Sequence, residues 1–224
     1  MSAFLAPIHH QMFQRIELAA ARQEDLATYA RGRMSPGQCE ELEARWTLRH
    51  ELPAGELEEL IGGAPIHAWL QGQMEAQLVS EAQLWALLAD RPERRGLVLG
   101  RLREHGLRLG EALLTERPEL AGDLRELPRE LERVVLESMP CDRVSQVVAA
   151  SAGACIVRRD LLFHARLWQK AGLDEELALA CLEGWMRGLH EALPGLRFTR
   201  AAVQVEGRRL FDDRVSLARA AQEA

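Results

Sequence analysis

His9, His67, Cys141 and Asp142 are the residues whose types and positions point most directly to chemistry. They sit in three related phrases: Ala6-Pro7-Ile8-His9, Ala64-Pro65-Ile66-His67 and Met139-Pro140-Cys141-Asp142. Proline is favoured at the first helical position, where its missing N–H costs no intrahelical bond. That places His9, His67 and Asp142 third in their helices and Cys141 second. The partial positive charge of a helix N-terminus disfavours imidazolium and favours thiolate. Neutral imidazole and thiolate are the forms that bind metals. Three such starts at one end of a bundle would assemble a His-His-Cys or His-His-Asp set suited to zinc or iron. Asp142 would be a ligand or the acceptor of a histidine N–H. The competing role is plain: prolines start helices, and a first-turn histidine caps or packs. Glu17 stands about 12 Å along the helix from His9 and His164 about 35 Å from Cys141, at 1.5 Å per residue, so neither joins the set.

A second constellation holds three candidates for binding a small cofactor: His164, Trp168 and Cys181. His164 and Trp168 are one helical turn apart, as are Cys181 and Trp185. If the chain folds back at Gly172, the two turns face each other. They form either an aromatic-walled pocket with His164 as polar anchor or a tryptophan-rich core seam around a buried thiol. No nucleophile–base pair is evident. The function read is therefore binding of a metal or small cofactor, in a sensing or accessory role rather than a catalytic one. The rival is an interaction module that dimerises or docks a partner without a ligand.

The elements that must position these residues read as helices. Apolar residues recur at helical spacing from Pro7 to about Arg31. A short helix over about Gln38–His50 follows the Pro36-Gly37 break. Pro65 opens a helix to about Ala89 and Pro92 another to about Glu116. Pro118 and Pro128 punctuate a helix-like stretch to Glu137. Pro140 opens a helix to about Lys170, with Ala149–Ala154 as a run of small residues inside it. Leu173–Leu193 is the last helix, stopped by Pro194-Gly195. Only Leu196–Phe211 alternates with period two, as a small hairpin turning at Glu206-Gly207. Asp212–Ala224 reads as a charged, frayed helix. The expectation is an all-α fold: an antiparallel helical bundle over 1–195, with a β-hairpin and charged tail over 196–224. The Ala-Pro-Ile-His phrase recurs 58 residues on, with Glu17 matching Glu75 and Leu26 matching Leu84. The identity is short and reads either as chance or as a duplicated helical hairpin.

Composition closes off other chemistries. Of the 28 basic residues only Lys170 is lysine, and 34 acidic residues give a net charge of −6. No phosphate-loop, G-x-G-x-x-G or G-x-S-x-G motif is present. An acidic balance with scattered arginines argues against nucleic acid as partner. Arg94-Arg95, Arg158-Arg159 and Arg208-Arg209 have acidic neighbours and read as solvated faces. The longest uncharged stretch, Val144–Val157, is 14 residues, short of the roughly 20 a membrane span needs. Four dispersed cysteines without C-x-x-C, and no secretory signal, indicate a cytoplasmic protein with free thiols, open to homo-oligomer formation. The phrases Phe4–His9, Ile66–Leu70, Met139–Val144 and His164–Trp168 resemble an uncharacterised family of bacterial all-helical proteins with no established activity. The resemblance spans Phe4 to about Phe198. It implies a shared helical fold and supplies no chemistry.

Overall fold

The computed structural model describes residues 5–121 and 123–217. Eight helices and four strands follow one another as α1 (Pro7–Arg31), α2 (Pro36–Arg45), α3 (Leu57–Ile61), α4 (Ile66–Leu88), α5 (Pro92–Glu116), α6 (Leu127–Val134), β1 (Ser145–Ala150), β2 (Ala154–Arg159), α7 (Ala165–Ala171), α8 (Glu175–Glu191), β3 (Leu196–Val205) and β4 (Arg208–Leu217). Single turns of tighter helix occupy Pro118–Ala121, Pro140–Asp142 and Leu161–His164.

The proline-led starts of α1, α4 and α5 fall where the sequence puts them. The third does not. Pro140 opens one turn, and the chain then forms the hairpin β1–β2 instead of a helix to Lys170. The all-α expectation is therefore corrected: the fold is mixed, with a four-stranded antiparallel sheet in the order β1-β2-β4-β3. The reason lies in the side chains. Cys155, Val157 and Arg159 alternate inward on β2, each less than a tenth exposed. The β-branched Val147, Val148, Ile156 and Val157 suit a pleated surface better than a helix. Ser151 closes the turn, its hydroxyl donating to the Ala154 carbonyl at 3.0 Å. The small-residue run is thus a strand end and a turn. Gln146 to Ala150 on the edge strand β1 are all exposed, and the ladder bulges between Val147 and Ala149.

The C-terminal hairpin is present and longer than its alternation suggests. Glu206 (φ 50°) and Gly207 (φ 77°) supply the two left-handed residues of its turn, the conformation that matches strand twist in a two-residue loop. Residues 212–217, expected as helix, continue β4; residues 218–224 of the expected tail lie outside the described residues. The hairpin is no appendage, because β4 pairs with β2 along its length.

Two helix pairs carry the rest. His9 meets His67 near the starts of α1 and α4, and Arg22 meets Glu81 further along, so these helices run parallel. α5 and α8 are also parallel and unusually close. A Cβ added to Gly106 or Gly110 would overlap the backbone of Trp185 or Leu189, and one on Gly188 the backbone of Arg103. The larger core lies among α4, α5, α7, α8 and the inner face of the sheet. A smaller one joins α1, α3 and α4 around Met12, Ile16, Leu70 and Met74. Among the described residues, no helix is long and apolar enough to cross a membrane.

Candidate functional site

The proline-started helices bring together two of the four expected ligands. His9 Nε2 and His67 Nε2 lie 3.2 Å apart. His9 Nδ1 accepts the backbone N–H of Ala6 at 3.0 Å, which fixes the tautomer. The proton of neutral His9 sits on Nε2 and is donated to His67. Burial lowers the pKa of His9, and the neighbouring His67 and His10 lower it further. Asp142 repeats the capping device, its Oδ2 accepting the Met139 N–H at 3.1 Å. His9 and Asp142 thus fold back onto the backbone three residues earlier, as the reciprocal half of a capping box does, while His67 bonds to His9 instead. Cys141 is exposed, with Asp142 Oδ1 4.0 Å from its sulfur. Among the described residues, no group of three or more His, Cys, Asp or Glu side chains is disposed to hold a metal ion.

The second constellation leads to a cavity. It lies where α4, α7 and α8 meet the sheet and the connection Val135–Glu137, has a volume of about 50 Å³ and is open to solvent on one side. Trp85 from α4, Trp168 from α7 and Trp185 from α8 line it, with Leu161, Leu182 and Met186. Three of the chain's five tryptophans therefore face one space. His164 also lines it, as the sequence suggests. Its Nε2 contacts the Glu137 carbonyl oxygen, so Nε2 carries the proton and Nδ1 is the free acceptor. Burial lowers its pKa, keeping the ring neutral. Cys181 is fully buried and is not among the lining residues. Desolvation raises its pKa strongly, so it stays an inert thiol in the seam beside the cavity.

The charged part of the lining is what sequence reasoning missed. Arg22, Arg159 and Arg200 all border the cavity. Arg22 grips Glu81 through Nε and Nη2 at 2.6 and 2.7 Å, with its guanidinium carbon 4.5 Å from the centre of the Trp185 ring. Register explains the other two. On the inner face Asp213 of β4 stands opposite Arg200 of β3, while Arg159 of β2 is diagonal to it. Arg200 holds both Asp213 oxygens at 2.6 and 2.8 Å, Arg159 adds a bond at 2.9 Å, and Arg159 also pairs with Glu137. Burial works against the charge on Arg159, but the two carboxylates outweigh it and raise its pKa. The Cys155–Val157–Arg159 alternation was the available signal, since it puts this arginine on the same strand face as two core residues.

Two donors on this lining have no acceptor. Arg200 Nη1 and Trp85 Nε1 are both buried without a hydrogen-bond partner among the described residues. The Arg200 side chain is 5% exposed and Trp85 3%. Buried donors are nearly always satisfied by protein or water, so two on the wall of one cavity mark it as a place where an acceptor belongs. Among the described residues the lining contains no serine, threonine, cysteine or lysine, and its carboxylates Glu81, Glu137 and Asp160 are each tied to an arginine. Compared with protein families, characterised proteins and solved structures, the chain matches none.

Proposed function

We propose that this protein binds a small organic molecule in the tryptophan-walled cavity and serves a sensing or accessory role. The observation that carries the reading is the pair of acceptorless buried donors, Arg200 Nη1 and Trp85 Nε1, on residues lining one largely apolar space. Small-molecule sites combine apolar and aromatic walls with a few convergent polar groups, and this lining has that composition. The lining's chemistry supports binding rather than turnover. It offers no nucleophile, and the proton of His164 Nε2 is committed to a backbone carbonyl.

The test uses the three lining tryptophans as reporters. The full-length protein is titrated with a panel of small aromatic and aliphatic compounds while tryptophan emission and melting temperature are followed. Saturable emission changes are expected, with a rise in melting temperature that grows with ligand concentration. A Leu182→Trp variant, which fills the cavity from α8, should lose both responses while remaining folded by circular dichroism. If no compound produces a saturable response, or if Leu182→Trp responds like the parent, the cavity is not a binding site.

A further inference from the structure

Charge on the cavity wall narrows what the ligand can be. The wall's formal charges cancel in closed groups. Arg22 is matched by Glu81. Arg159 and Arg200 are matched by Asp213 and Glu137. Asp160 is matched by Arg208. His164 is neutral, as its tautomer and depressed pKa require. An anionic ligand would therefore enter a buried space with no uncompensated positive charge to receive it, and leaving a charge unpaired in such a place is strongly unfavourable. A cation meets the same objection, and the unpaired groups are donors, which repel it. Among the described residues the unpaired donors on this wall are Arg200 Nη1–H and Trp85 Nε1–H, His164 Nδ1 is a free acceptor, and most of the remaining surface is tryptophan ring or aliphatic carbon.

We infer that the cavity is selective for an uncharged, largely apolar molecule carrying a carbonyl-type acceptor, which receives hydrogen bonds from Trp85 and Arg200 while its apolar body lies against the tryptophans. The inference rests on the binding role proposed above and adds the ligand's charge state and its one polar group. It distinguishes this site from the usual use of buried arginine, which is to clamp a carboxylate or phosphate in two-point fashion. Here two nitrogens of Arg200 and two of Arg22 are already spent on the protein's own carboxylates.

Three probes with nearly the same body separate the terms at pH 7.5: acetophenone, neutral with a carbonyl; benzoate, anionic; and ethylbenzene, neutral without an acceptor. Each is titrated into the full-length protein and followed by tryptophan emission and calorimetry. Acetophenone should bind at least tenfold more tightly than benzoate and several-fold more tightly than ethylbenzene. Trp85→Phe keeps the ring and removes one donor. It should weaken acetophenone several-fold and leave ethylbenzene unchanged, a split that mere disturbance of the wall would not produce. Benzoate binding as tightly as acetophenone would overturn the neutral-ligand inference while leaving the binding role standing. Equal affinity for acetophenone and ethylbenzene would overturn the assignment of the donors. If none of the three binds and the wider panel is also silent, water is the sole occupant, and the binding role falls with the inference.

Discussion

Arg22 is the most demanding side chain in the molecule. It is 5% exposed, its carboxylate partner Glu81 is 1% exposed, and both lie where helices α1 and α4 press together. Removing one member of such a pair strands a buried charge, whereas replacing both with apolar residues can be nearly neutral. Glu81→Ala should therefore lose about 3–5 kcal/mol. The double variant Arg22→Met with Glu81→Leu should recover most of that loss, read from urea unfolding midpoints. A single variant as stable as the parent would mean that water reaches Arg22. The same scale shows what could be read beforehand. The proline spacing puts His9, His67 and Asp142 at the third positions of helical openings, and His9 and His67 do meet. The spacing cannot say which nitrogen of His9 carries the proton. That depends on the Ala6 N–H, which bonds to His9 Nδ1 and leaves Nε2 facing His67. Arg200 was invisible for another reason. Nothing local separates it from the other arginines, because its burial depends on the register of β3 against β4.

At the scale of elements, the helices announced by proline and apolar period lie close to their expected bounds, and the hairpin β1–β2 does not. Its sequence is rich in alanine, and alanine favours helix when nothing else decides. What decides here is a partner strand. β2 is central in the sheet, and along one edge it pairs with β4, more than fifty residues later. A local window contains none of that. The glycines of α5 and α8 were likewise silent until the helices were seen to touch, yet they make a prediction of opposite signs. Gly188 faces the backbone of Arg103 with no room for a methyl group, while Gly100 on α5 has nothing within 4 Å. Gly188→Ala must push the helices apart, and overpacking of this kind costs about 1–3 kcal/mol, more than the helix propensity it gains. Gly100→Ala meets no obstacle and should stabilise by about 0.5–1 kcal/mol. Thermal unfolding of the two variants beside the parent checks both. A stable Gly188→Ala protein would mean that α5 and α8 are not in contact.

The molecule as a whole folds around neutral histidines, and this sets its response to acid. His190 is 1% exposed, stacked 4.8 Å from Phe198, and its Nδ1–H donates to the Met186 carbonyl at 2.7 Å. Burial pushes its pKa down to about 4 from 6.5. His105 is also held at about 4, by burial first and then by Arg22, and its Nδ1 accepts the Trp185 indole N–H. A folded-state pKa below the unfolded one means that the unfolded chain takes up protons first as the pH falls. The stability contributed by these rings is therefore complete above pH 6.5 and is lost between 6.5 and about 4. For His190 alone the loss from pH 7.5 to pH 5 is about 2 kcal/mol, with His105 adding in the same direction. The paired carboxylates Glu43 and Asp212 are held below their ordinary range by Arg31 and Arg158 respectively. Their contributions disappear only at lower pH, so the interval from 6.5 to 5 belongs chiefly to histidine. Urea unfolding at pH 7.5, 6 and 5 should show a falling midpoint, and His190→Gln, which titrates at no pH, should flatten the decline even if it lowers stability at pH 7.5. A parent protein equally stable at pH 7.5 and pH 5, or a variant that loses stability as steeply as the parent, would show that His190 is not held neutral in the core.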